Sequence, residues 1–375
     1  MPRDDERAQD REDVSLESAN VARPAGAHGH PGGLALPEEP LGPLDSQRSL
    51  TTPPEGLAEV PAADLLAQHA GVEPKARSQW AYARIRFFRH RMAVASLVVL
   101  IAICFVAIFA GQVAPYDYDY VPFTDPEAIA ENPNILLESI TAPPTFEGKH
   151  LFGTDNLGRD YLSRVIYGLR TSLWVAFFVA LLSTTIGATI GAVAGYYGGI
   201  VDNLLMRFTD LVLTLPGLAV LLTAAAFWGT GNPLKVAVIL AFLFWTGIAR
   251  IVRGVFLSLR EKEYVEAAKA SGASDARIIL RHMLPNSLGP IIVNTTLVVA
   301  AAILVEAALS FLGFGIQPPD PALGKLIADG QSEGTELWWL VTFPGLVIVV
   351  IALCINFIGD GLRDALDPTQ RRVRA

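Results

Sequence analysis

Six apolar runs dominate this chain, at residues 92–110, 173–196, 204–228, 234–252, 288–312 and 337–358. About 20 apolar residues of helix cross a bilayer core. Lipid offers no hydrogen bonds to the backbone, so such runs fold as helices. The expected fold is an all-α membrane protein with six transmembrane helices. The fourth run is the weakest, with an uncharged core of only 14 residues, 236–249. Lys235 and Arg250 at its ends can snorkel to the interfaces and lengthen it.

Charge orients these spans. The chain has 375 residues, 29 Lys+Arg and 37 Asp+Glu, for a net charge of −8. That acidic balance argues against nucleic-acid binding, which needs a surplus of Lys and Arg for phosphates. Residues 1–74 hold 5 basic and 14 acidic residues, a net of −9, which leaves +1 for 75–375. The same 74 residues contain 10 Pro and 7 Gly. This composition predicts a disordered acidic tail, with a short helix conceivable around 62–70. It is not patterned as a signal peptide. Lys75, Arg77, Arg84, Arg86, Arg89 and Arg91 then precede the first span without an intervening acid. Residues 75–114 therefore read as a basic juxtamembrane segment and first transmembrane helix, with the tail in the cytoplasm.

The remaining charges agree with that orientation. Residues 250–281 hold seven Lys/Arg and four acids, whereas 111–170 hold 4 basic and 9 acidic residues. The first segment is expected inside and the second outside. Six spans also return the basic C-terminal tail, 369–375, to the cytoplasm. Segment 115–170 reads as an extracellular loop, rich in Pro. It ends in an interfacial helix capped by Asp160 that leads into span two. Residues 171–368 form the expected five-helix core.

Catalytic chemistry has no visible seat. Cys104 and Cys354 are isolated in apolar runs and read as small hydrophobes. No HExxH, CxxC or GxxxxGK[ST] pattern occurs, so no catalytic, metal-binding or cofactor-binding residue is expected.

The most informative stretch is 263–285, EYVEAAKASGASDARIILRHMLP. Tyr264 to Ser271 forms helix well, and Gly272 can supply a left-handed cap. Asp275 can help start a second helix, 276–283, which Pro285 and Asn286 would terminate. The product is a charged helix–turn–helix on a cytoplasmic loop. Docking into a partner's groove and an ordinary solvated loop both remain open on these grounds.

The stretch resembles the EAA loop of ABC importer permeases: Glu266-Ala267-Ala268, Gly272, then His282 and Leu284-Pro285 stand at the family's spacing, with His282 where the pattern usually has Ile. Segments 152–173 (FGTDNLGRDYLSRVIYGLRTSL), 202–216, 306–315 with Gln317-Pro318-Pro319, and 357–368 are similar to permeases of dipeptide, oligopeptide and nickel importers, C-type subunit. The resemblance covers about 75–368. It implies a type I importer permease fold in the cell (inner or plasma) membrane. ATP and Mg would be bound by two partner ATPase subunits. A second permease would complete a heterodimer, and an extracellular or periplasmic binding protein would deliver the solute. Tyr264, Glu266, Ala267, Ala268, Gly272, Leu284 and Pro285 would form the ATPase-coupling loop. Alternatives are nickel or another small solute as cargo or, in a different class, a stand-alone channel or secondary transporter.

Further residues carry two readings each. Gly187, Gly191 and Gly195 form a double GxxxG that lets helices approach closely, against a partner permease or within the subunit. Glu306, the lone acid of span five, belongs either to the transport pathway or to a structural hydrogen bond. Asp202, Arg207 and Asp210 serve structure or coupling, and the three-residue spacing suits an Arg207–Asp210 pair.

Overall fold

A computed structural model describes residues 79–366, apart from 133, 135–138, 146–149 and 230. The expected acidic tail 1–74, its helix near 62–70 and the basic tail 369–375 lie outside the described residues.

Helix α1, Gln79–Arg89, leads into α2, Arg91–Ile108, at His90. The His90 ring accepts the Ala93 N–H at 3.1 Å and caps the first span. Val98, Ile101, Phe105 and Ile108 leave one face of α2 exposed. The link that follows is irregular, with a 3-10 turn at Pro122–Thr124 and a short helix at Pro126–Glu131.

Helix α3, Tyr161–Tyr197, begins at Asp160, whose carboxylate accepts from Ser163 N at 2.8 Å and Ser163 Oγ at 2.7 Å. The sequence predicts an interfacial helix capped by Asp160 that leads into span two, and in the structure the two run on as one continuous helix of 37 residues. Near the junction, the backbone of Ala322 and Leu323 packs on Gly168. At 1.5 Å per residue α3 is about 55 Å long, well beyond the bilayer core.

The third apolar run is not one straight helix. It forms α4, Gly199–Thr214, and α5, Gly217–Trp228, which meet at 84°. Pro216 lacks an N–H and forces Leu215 into an extended conformation (ψ 136°), which ends α4. Helix α6, Pro233–Arg260, spans despite its short uncharged core and is the most buried of the spans. Lys235 donates to the Trp228 carbonyl at 3.0 Å, and Arg250 meets Asp210 at 2.5 Å. Asp202 takes both Nε and Nη2 of Arg253. The expected Arg207–Asp210 pair is thus replaced by two bridges from α4 to α6.

Helix α7, Glu263–Ala270, precedes α8, which runs from Asp275 to Phe311 through a π-helical turn, Ile278–Met283. Pro285 and Asn286 do not end a helix there. The wider turn lets Leu284 N–H reach the Ile279 carbonyl, so Pro285 stands in a new first turn where its missing N–H costs nothing. Helix α9, Leu323–Ser332, and α10, Trp339–Leu366, complete the bundle. The described residues thus hold five single-helix spans, or six with the bent pair.

Contacts sort the helix ends into two layers. At one end Asp202 meets Arg253, Tyr196 meets Asp275, and Ala93 packs on Gly361. At the other, Tyr161 Oη donates to the Leu340 carbonyl, and Trp339 Nε1 to the Thr154 carbonyl. Between them α3 and α6 pack along the glycine ladder. A Cβ on Gly187 would lie 2.5 Å from the Trp245 oxygen, and one on Gly195 2.6 Å from Phe256 Cβ. The three glycines therefore face α6 of the same chain.

Candidate coupling site

The loop after α6 is built as a platform with one buried and one open side. Val265 and Ala268 of α7 pack with Ile278, Met283 and Leu284 of α8 against Ala192, Val252 and Phe256. Glu266, Ala267, Lys269 and Ala270 point outward, and Tyr264 is 40 % and Leu280 63 % exposed. Partial burial raises the Tyr264 phenol above its usual pKa, and a hydrogen bond with Asn286 works the other way.

Gly272 makes the turn. Its φ is 74°, its N–H bonds the Lys269 carbonyl at 2.9 Å, and Ala273 N–H bonds the Ala268 carbonyl at 3.1 Å. These are the two bonds of a Schellman cap. Ser274 is the N-cap of α8, and Asp275 is its first residue and the acid of its first turn. The Asp275 carboxylate accepts the Tyr196 hydroxyl at 2.6 Å. Lys269 Nζ lies 5.4 Å above the same ring, at cation–π distance. Tyr196, the penultimate residue of α3, therefore holds both helices of the loop. Sequence reasoning missed it, because a tyrosine ending an apolar run looks like an interfacial anchor. Leu284 is half-buried and Pro285 exposed, both beyond the π turn rather than on the outward face of α7.

Residues 187–372 match the family described as the binding-protein-dependent transport system inner membrane component. Residues 78–143 match the N-terminal TM domain of oligopeptide transport permease C. The chain is 43 % identical to the oligopeptide transport system permease protein OppC of Escherichia coli K12 over 300 residues, 80 % of this chain and 94 % of that one. The chain belongs to the OppC-type permease family. The OppC protein of Mycobacterium bovis is 42 % identical over 290 residues, 77 % of this chain and 94 % of its own length. An inward-facing structure of the MetNI methionine ABC transporter aligns with a TM-score of 0.45 and 18 % identity, covering 55 % of this chain and 97 % of that one.

In this permease Glu306 lies five residues before the end of α8 and is fully buried. Its Oε1 accepts from Ser310 Oγ at 2.7 Å, and Ser310 Oγ accepts the Ile316 N–H at 3.0 Å. The carboxyl thus ties the helix end to the following loop. Oε2 has no partner among the described residues. Glu306→Gln keeps the acceptor and is expected to retain transport. Glu306→Leu strands the Ser310 hydroxyl and should cost about 1–3 kcal/mol, read as a lower melting temperature in detergent. Loss of transport in Glu306→Gln with unchanged melting would make the charge itself functional.

Proposed function

We propose that this chain is one of two permease subunits of an ATP-driven importer of di- and oligopeptides. The observation that carries the reading is the platform around Gly272, closed against the bundle on one side and offering a short charged helix on the other. Two ATPase subunits, which bind ATP and Mg, would receive α7 in a surface cleft. Closure of the ATPases on ATP would then push α7. The Tyr196 clamp would pass that movement to α3, and the π turn would pass it to α8.

Orientation follows from charge. The layer holding the platform also holds Arg89, Arg91, Arg253 and Arg260, so it is assigned to the cytoplasm. The opposite layer would face an extracellular or periplasmic binding protein. Peptide as cargo rests on the kinship with the oligopeptide permeases.

The test is co-purification followed by reconstitution. The chain is expected to bring down a second permease and ATPase, and labelled tripeptide uptake should be competed by unlabelled di- and oligopeptides. Uptake competed only by nickel chelates would replace the cargo. Transport by the purified chain alone would replace the class with a stand-alone channel or secondary transporter.

A further inference from the structure

A cavity of about 440 Å³ opens in the layer opposite the platform, between α3, the start of α6, and the loops at 118 and 320–321. The apolar runs set its depth. Arg170 stands three residues before the run 173–196, and Asn232 two residues before the run 234–252. Both helices therefore bring the cavity to the edge of the hydrocarbon core, the level of lipid headgroups.

The wall carries one cation and one anion, so its own charges sum to zero. Arg170 and Asp320 are both exposed, yet neither forms an ion pair or hydrogen bond with the other or with any of the described residues. The side-chain oxygen of Asn232 accepts the Leu234 N–H at 2.8 Å, which leaves the amide NH₂ as a second donor. Lys235 is engaged elsewhere, on the Trp228 carbonyl at 3.0 Å. The Tyr118 side of the cavity is acidic: after burial, Asp119, Asp320 and Asp117 raise that phenol above its usual pKa. The rings of Tyr118 and Tyr167 lie 5.1 Å apart at 58° and form a corner, and such ring faces attract an ammonium group. Along α3 from Arg170, Trp174, Phe177 and Leu181 follow at steps of four, three and four residues, which places them on one helix face. They are 47 %, 46 % and 69 % exposed.

We infer that this cavity holds the headgroup of a zwitterionic phospholipid. Its phosphate lies on Arg170 and Asn232, and its ammonium between Asp320 and the two tyrosine rings. An acyl chain follows Trp174, Phe177 and Leu181. A guanidinium matches phosphate oxygens in geometry and charge. A ligand with one charge of each sign satisfies both free side chains, whereas an anionic headgroup would face Asp320 uncompensated. A short peptide is also zwitterionic, but it would leave the apolar stripe beside Arg170 uncovered. The inference goes beyond the importer reading and rests only on the chain spanning a membrane, whatever the cargo.

The test is photolabelling of the complete purified transporter in detergent, with a phosphatidylethanolamine that carries a diazirine in its acyl chain. Adducts are located by mass spectrometry of the digested chain and are expected within 174–181. Unlabelled phosphatidylethanolamine should compete at these positions about tenfold better than phosphatidylglycerol, which has the phosphate without the ammonium. Arg170→Gln should raise the half-competing concentration of both lipids about tenfold, the loss of one charge-assisted contact. Asp320→Asn should raise that of phosphatidylethanolamine about threefold and lower that of phosphatidylglycerol, bringing the two lipids level. A merely structural role for Asp320 would not move this selectivity, and both side chains are exposed enough to replace without unfolding. Adducts found only outside 167–181, equal competition by the two lipids on the unmodified transporter, or unaltered values in both variants would overturn the inference. So would displacement of the label by a tripeptide as effective as unlabelled phosphatidylethanolamine, which would give the cavity to the cargo instead.

Discussion

Gly191→Leu is expected to prevent the permease from folding into a stable subunit. A Cβ at Gly191 would press on the Ala249 carbonyl oxygen and lie 2.9 Å from Val252 Cβ and 3.0 Å from Arg253 N. Two of these three contacts are backbone atoms of α6, which cannot rotate away as a side chain can. One turn away on either side, Gly187 and Gly195 meet α6 as closely. Relief would need the whole α3–α6 pair to separate, which opens the core around Val252 and Phe256. Overpacking of a helix interface costs about 1–3 kcal/mol, and backbone collisions with a leucine sit at or above the top of that range. The readout is monodisperse yield and melting temperature in detergent. Gly254 lies on the same helix pair's α6 with open space around its Cα. Gly254→Ala is the control and should match or exceed the parent, because alanine favours helix over glycine by about 1 kcal/mol. Equal stability of Gly191→Leu and the parent would show that α3 and α6 do not cross at this glycine.

Gly272→Val is expected to leave the bundle folded and disconnect it from ATP hydrolysis. Nothing lies within 4 Å of a Cβ at this position, so the effect is not steric crowding. It comes from φ of 74°, a conformation that a β-branched residue adopts at a cost of about 1–3 kcal/mol. The strain is relieved most easily by undoing the cap between Lys269 and Ala273, because the turn is exposed and few contacts hold it. That shift carries Glu266 and Ala267 off their places on α7. Substrate-stimulated ATP hydrolysis in the reconstituted complex should fall about tenfold or more, the equivalent of 1.4 kcal/mol of misplacement. Gly272→Asn, which tolerates the left-handed region, should recover most of it. Full coupling in Gly272→Val, with normal co-purification of the ATPases, would remove the turn from the transmission path.

Several of these features could be read in advance because they depend on neighbours within a few residues. Asp160 caps α3 through Ser163, three residues on. Gly272 ends α7 because no other residue type there would turn as readily. Other features could not be read. Arg207 and Asp210 are spaced to pair along one helix, yet Asp210 pairs with Arg250, 40 residues distant, and Asp202 with Arg253, 51 distant. Spacing alone ranks partners on one helix and says nothing about partners on another. Pro285 misleads for a related reason. A proline predicts a break, and only the wider π turn before it lets the helix continue.

Hydrophobic length, capping chemistry and charge asymmetry are local properties, so the amino-acid order by itself determined how many segments can span, which end of each carries the basic charge, and where the loop after α6 turns. Tertiary structure decided what those segments touch. It turned the glycine ladder inward onto α6 and placed Tyr196 between the two loop helices. Each of these depends on the distance between residues far apart in the chain, and that distance is set only when the helices pack.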